Sequence, residues 1–361
     1  MRAYIERVLA ELVGIDSVNP GLEPGAAGER RIASFIAEEM LAMGCDVRMV
    51  GPAARPSVIA TLSGTGRGRR LMLNGHTDTV GVAGMAGAFS ARIENGRLYG
   101  RGAYDMKASL AAAMAAIREL RDAPPAGDVV LAAVADEEAA SLGTQQVLET
   151  CRTDAAICME PTSLKTCLAH KGFVWIEVRT HGRAAHGSRF ELGVDANMAM
   201  GRFLAKLDAL EGELRARKPH PLVGPPSLHA ATIAGGSGWS TYAAECVLRI
   251  ERRTIPGETA DQVEREIRAL GADDVRVVLA REPFEVAPDA AIVGCVRAAG
   301  GGEFCGDSPW MDAALLAAAG IETVVIGPHG AGAHSAEEWV DLDSTFRLAE
   351  ILRDAARAYC A

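Results

Sequence analysis

Apolar residues recur at helical spacing over residues 2–13 and 28–43, then give way to short apolar runs, VIATL at 58–62 and LMLN at 71–74. The first two segments predict amphipathic helices and the runs predict buried strands. Residues 106–121, MKASLAAAMAAIRELR, join strong helix formers to an apolar stripe and predict another helix. VVLAAVA at 129–135 and AAICM at 155–159 predict two further strands. This alternation implies an α/β layer with a largely parallel central sheet.

The pattern changes after about residue 170. FVWIEVRTHG (173–182) alternates like a half-exposed strand, and a helical pattern follows at 193–210. A Pro/Gly-rich loop, KPHPLVGPPS (218–227), leads to strand-like SLHAATIAGG and CVLRIERRT, a helix at DQVEREIRAL (261–270) and a strand at DVRVVLA (274–280). The order β-α-β-β-α-β is that of a ferredoxin-like α+β sandwich. From about 283 the first style returns, with helices at 289–299 and 311–319, a strand TVVIG at 323–327 and a final helix near 343–358. The expected organisation is one α/β domain, residues 1–170 and 283–361, with a second domain, 171–282, inserted between its halves. A chain of 361 residues exceeds one comfortable core and suits two.

Composition narrows the partners. The net charge of −10 argues against nucleic acid, which calls for basic patches. Arg2, Glu6, Arg7 and Glu11 interrupt the first apolar stretch, so it does not read as a secretory signal. No run approaches the roughly 18 apolar residues of a membrane span, so no membrane partner is expected. The eight cysteines are scattered without a CxxC pair, which points to reduced thiols and a cytoplasmic setting.

Five segments end an apolar run, or open a helix, with a metal-type side chain. LMLNGHTDTV carries His76 and Asp78, GRGAYDMKAS carries Asp105, VVLAAVADEEA carries Glu137 and Glu138, AAICMEPT carries Glu160, and VVIGPHGAGAHSAEE carries His334. In an open α/β sheet, ligands gather at the carboxyl ends of the strands, so these residues can converge on one crevice. Two histidines with several carboxylates suit zinc, cobalt or manganese. Adjacent Glu137 and Glu138 cannot both point at one ion from an extended segment. One can bind metal while its neighbour faces a water as general base. Taken singly, each has a plainer reading: His76 and His334 as loop histidines, Asp105 as a helix cap, the Glu pair as a solvated helix start.

Taken together, ELVGIDSVNP (11–20), GHTDTV, GRGAYDMKAS, ADEE, EPT and GAHSAEEWV resemble the M20 metallopeptidase family over essentially the whole chain. The resemblance implies a zinc-peptidase-like catalytic domain with an inserted lid and dimerisation domain, and hence a homodimer. It implies two divalent ions, zinc first, with His76, Asp105 and Glu160 on one, and Asp105, Glu138 and His334 on the other. Asp78 would accept the second ring N–H of His76, and Glu137 would pass the proton of water to the leaving amine. In GRAAHGSRFELGVDAN, His186 would donate to the oxyanion, in this family often from the partner subunit, and Arg253 in ERRTIPGE would bind a substrate carboxylate. Plain readings remain for these two: a loop histidine for His186, and a solvated strand-end charge for Arg253, with Arg252 as the alternative surface partner.

One stretch departs from the family pattern. Ser240 stands where many members carry a substrate-binding asparagine, and Tyr242 and Ala243 replace Val and Pro. GDSPWMDAALL is likewise unlike a desuccinylase, and Asp307, Trp310 and Asp312 shape a pocket or serve as loop and cap residues. The implied activity is hydrolysis of the amide of a small N-acyl amino acid, in the manner of acetylornithine deacetylase. A di- or tripeptidase, or an N-carbamoyl-amino-acid hydrolase, shares the same metal core. A non-catalytic metal-binding relative would be expected to lack the base, which Glu137 supplies here.

Overall fold

Val58–Ala60 and Leu71–Leu73 are fully buried, as strands covered on both faces require. The computed structural model describes residues 1–82 and 84–361. In chain order its first part runs α1 (Arg2–Gly14), α2 (Arg30–Ala42), β1 (Asp46–Val50), β2 (Ser57–Leu62), β3 (Leu71–His76), β4 (Arg92–Glu94), β5 (Arg97–Tyr99), a π-helical turn (Ala103–Lys107), α3 (Ala108–Arg121), β6 (Val129–Val134), α4 (Leu142–Thr150), β7 (Ala155–Cys158) and β8 (Thr166–His170). Then come β9 (Gly172–His181), α5 (Ala196–Ala216), β10 (Ser227–Gly235), β11 (Glu245–Thr254), α6 (Ala260–Ala269), β12 (Asp274–Arg281) and β13 (Phe284–Glu285). The chain closes with α7 (Ala291–Ala298), β14 (Phe304–Asp307), α8 (Ala313–Ala318), β15 (Glu322–Val325), β16 (Gly330–Ala331), β17 (Trp339–Asp341) and α9 (Leu342–Tyr359).

Two compact units result. The first holds Met1–Leu168, Val286–Cys305 and Met311–Ala361; the second holds Ala169–Glu285 and Gly306–Trp310. In the first, the sheet order is β1-β2-β6-β3-β7-β15-β8. Strands β6, β3, β7 and β15 are mutually parallel. On one side β1 and β2 run antiparallel, and on the other β8 runs antiparallel to β15. The sheet is therefore mixed, with the expected parallel centre and antiparallel flanks. The short link 51–56 between β1 and β2 has no room for a crossover helix, so it can join only antiparallel neighbours. Strand β1 escaped the sequence pattern because DVRMV is mostly exposed. A small antiparallel sheet, β16-β17-β5-β4, was also unanticipated, its strands being too short to carry a period.

The second unit has the sheet order β10-β11-β9-β12, antiparallel throughout, which is the ferredoxin-like order. Alternation along β9 sends Val174, Ile176 and Val178 into a core with Met200, Phe203 and Leu207 of α5 and Val263 and Ile267 of α6. Asp195 starts α5 by accepting the N–H groups of Asn197 and Met198. Within the same unit β13 pairs with Ala169 and His170 at the end of β8.

Candidate metal centre

Strand β3 is buried along its whole length and delivers His76 as its last residue. The His76 Nδ1 lies 3.0 Å from the Asp78 main-chain carbonyl and 3.6 Å from Asp78 Oδ1. The carbonyl, rather than the carboxylate expected from the sequence, is thus the nearer acceptor of the ring N–H. The other ring nitrogen, Nε2, faces Asp105 Oδ1 at 3.0 Å and Glu160 Oε1 at 3.8 Å.

Asp105 lies in the π-helical turn before α3, where Gly102 at φ 74° adopts a left-handed conformation. A side chain at Gly102 would also collide with Thr79 and Lys107. The bond from Asp105 to Met106 is cis. The two Asp105 oxygens diverge: Oδ1 faces His76, and Oδ2 lies 3.3 Å from His334 Nε2. His334 Nε2 lies 3.0 Å from Glu138 Oε2. Glu160 follows β7, and a Cβ at Gly327 would strike its carbonyl, so glycine there permits that approach.

After β6 the chain turns through Asp136 at φ 68° and presents Glu137 and Glu138. The Asp78 carboxylate accepts the N–H of Glu137 at 3.1 Å, that of Glu138 at 3.2 Å, and Asn19 Nδ2 at 2.7 Å. Ligand-type atoms of His76, Asp105 and Glu138 lie within 4.8 Å of one another, as do those of His76, Glu137 and Glu160. All of these residues belong to the first unit.

The charge balance of this cluster is unfavourable by itself. Burial, reinforced by Glu160, holds Glu137 well above the usual carboxylate range. Burial likewise raises Glu138, and pushes Glu160 up to about 8. Hydrogen bonds to Asp105 and Glu138 push His334 up to about 10. Burial would raise Asp105, but His334 and His76 hold it below its ordinary value. Burial would lower His76, but Glu160, Asp105 and Asp78 keep it well above its ordinary value. These carboxylates outnumber the two imidazoles that face them, and divalent cations held there would supply the missing positive charge. Nitrogen and oxygen donors converging from five segments fit such ions.

His186, Ser240, Arg252, Arg253 and Trp310 lie in the second unit. The loop of His186 pairs with the stretch that contains Ser240: Gly187 N–H donates to the Ser240 carbonyl at 2.7 Å, and His186 bridges Thr241. Ser188 N–H donates to His186 Nδ1 at 3.3 Å, which leaves Nε2 as the protonated nitrogen. Arg253 donates to Glu251 Oε1 at 2.7 Å and lies over Phe173. Arg252 is not the surface charge considered from sequence: it is fully buried and donates to Glu258 at 2.6 Å. Trp310 packs against His170 and Phe173, and its indole N–H donates to the Glu282 carbonyl.

Asp312 belongs to the first unit and heads α8 without a capping bond. It is buried and accepts from Thr144 Oγ1 at 2.6 Å, and burial pushes it up to about 6. Thr144 in turn accepts from Asn74 of β3. Sequence reasoning missed Asn19, and also the buried Glu29–Arg55–Asp136 chain, in which Glu29 accepts the Asp136 N–H. Asn19 lies inside the motif ELVGIDSVNP, and its place there was the available signal.

The family model described as peptidase family M20/M25/M40 matches residues 72–358. An acetylornithine deacetylase of Proteus mirabilis is 28% identical over 328 residues, covering 84% of this chain and 82% of that protein. The aminopeptidase PepT of Bacillus cereus superposes with a TM-score of 0.81 at 17% identity, covering 100% of this chain and 99% of that one. A Bacillus subtilis protein described as a dinuclear metal-binding peptidase superposes with a TM-score of 0.74 at 15% identity, covering 99% and 97%. At such identities the structural likeness is one of fold.

Proposed function

The chain belongs to peptidase family M20/M25/M40 and is a metal-dependent hydrolase, and from that premise we propose that it hydrolyses the amide bond of a small N-acyl amino acid using two divalent ions. The observation that carries this reading is the divergence of the Asp105 oxygens, one towards His76 and one towards His334. A carboxylate so placed can be shared by two ions, with Glu160 completing the His76 side and Glu138 the His334 side. Zinc suits these donors first, with cobalt or manganese next.

When bound, the ions would polarise the scissile carbonyl and ease deprotonation of the attacking water. The chain's own residues do the rest. Glu137 takes the proton of water and passes it to the departing amine, a transfer favoured by a carboxyl held above its ordinary value. Asp78 fixes the strand end that carries Glu137 and Glu138. His186, with its proton on Nε2, donates to the developing oxyanion, and Arg253 pairs with the substrate carboxylate. Ser240 stands in place of a longer amide side chain, so the substrate contact there is altered or lost. We take the enzyme to be a cytoplasmic homodimer whose second unit is the lid and dimerisation domain. No described helix is long and apolar enough to cross a membrane.

Turnover of N-acetyl, N-succinyl, N-formyl and N-carbamoyl amino acids and dipeptides by the metal-loaded enzyme tests the reading. Preference for an N-acyl amino acid supports it. Preference for dipeptides moves the assignment to a peptidase of the same family.

A further inference from the structure

Glu338 is 2% exposed, and four donors converge on its carboxylate. Oε1 accepts the N–H of Tyr104 at 2.9 Å and of Asp105 at 3.1 Å; Oε2 accepts the N–H of Gly102 at 3.0 Å and Arg101 Nη1 at 2.7 Å. Arg101, 3% exposed, sends Nη2 to the carbonyl of Ser335 at 2.8 Å and Nε to that of Gly81 at 3.0 Å. The pair therefore spans two loops. One is the turn that ends in Asp105; the other carries His334, next to Ser335 and held at φ 60°. Stability alone is a poor reason for such a pair, because apolar replacements of buried ion pairs are often neutral or better. Its bonds go instead to the backbone leading into Asp105 and to the carbonyl that follows His334.

We propose that Glu338 is a positioning residue that, with Arg101, holds the Asp105 turn and the His334 loop in ligand geometry before any ion arrives. The affinity for the ion on Asp105, Glu138 and His334 then depends on Glu338, although Glu338 is not itself a ligand. This rests on the ligand roles proposed above. Glutamine cannot replace it, because the amide nitrogen would face an N–H or guanidinium donor where an acceptor is needed. Aspartate keeps the charge but is one methylene short of spanning the turn.

The test is a zinc titration of the chelated full-length chain against a competing chelator, for wild type, His334→Ala, Glu338→Gln and Glu338→Asp. His334→Ala identifies the binding step that belongs to His334; if it alters neither step, the ligand assignment itself fails. Glu338→Gln is expected to weaken the His334 step by about 10–100-fold, and the other step less, with Glu338→Asp between it and wild type. A wild-type His334 step in Glu338→Gln overturns the proposal while leaving the ligand assignment standing. A second measurement guards against a variant that fails to fold. In metal-free wild type, the amides of Gly102, Tyr104 and Asp105 are expected to resist hydrogen exchange. Rapid exchange that slows only on adding zinc would show that the ion, not Glu338, shapes the turn.

Discussion

The carboxylate of Asp78 accepts the backbone N–H of Glu137 at 3.1 Å, so the residue beside one metal-type histidine also sets the position of the proposed base. Asp78 reaches Glu138 and Asn19 as well. In Asp78→Asn one oxygen becomes a donor facing another donor. We expect kcat/KM to fall by roughly 10–100-fold and ion affinity to weaken. Steady-state kinetics with chelator competition checks this; wild-type values in both would remove Asp78 as the organiser of that loop.

Glu137→Gln is expected to retain both ions while kcat falls by about 10²–10⁴-fold. Metal analysis beside kinetics separates the two roles open to this residue, since its oxygens also lie within reach of His76 and Glu160. Loss of an ion would make Glu137 a ligand, and near-normal turnover would remove it as the base.

The metal-free protein is expected to lose stability as pH rises from about 5 to 9. Glu160, pushed up to about 8, keeps its proton when folded at pH values where the unfolded chain has released it. His334, pushed up to about 10, does the same. The folded state binds more protons across this window, so unfolding free energy declines with pH. Binding of metal must expel those protons, so its affinity should rise with pH and its calorimetric heat should vary with buffer ionisation enthalpy. Melting temperatures of chelated protein that rise over the same window would contradict the assignment.

His186→Ala is expected to lower kcat by about 10²–10³-fold without loss of metal. Mixing it with Glu137→Ala subunits tests action across a dimer. Recovered activity places His186 in the partner's site; a mixture that stays inactive places it in its own.

Much of the candidate site was legible in the sequence because the candidate ligand residues follow strand ends or open a helix. His76 closes β3, Glu160 follows β7, and Asp105 precedes α3, so periodicity located them before any coordinates. The inserted β-α-β-β-α-β order was equally visible, because its strands alternate cleanly. The flanks of the main sheet were not: β1 is mostly exposed and the strands of the small sheet are two or three residues long. Nor were the supporting acids visible. Glu29, Asp136 and Glu338 look like surface charges in a one-dimensional reading, and their burial depends on Arg55 and Arg101 arriving from distant segments. Arg252 was misjudged for the same reason, since Glu258, its partner, lies beyond the strand that carries it.

The most direct test of the central claim is to strip the protein of metal, then follow amide hydrolysis while zinc, cobalt or manganese is titrated back. The account predicts no turnover in the stripped protein and activity that saturates once two ions are bound per chain. Full turnover by protein shown to be free of metal, or activity complete with one ion bound, would contradict it.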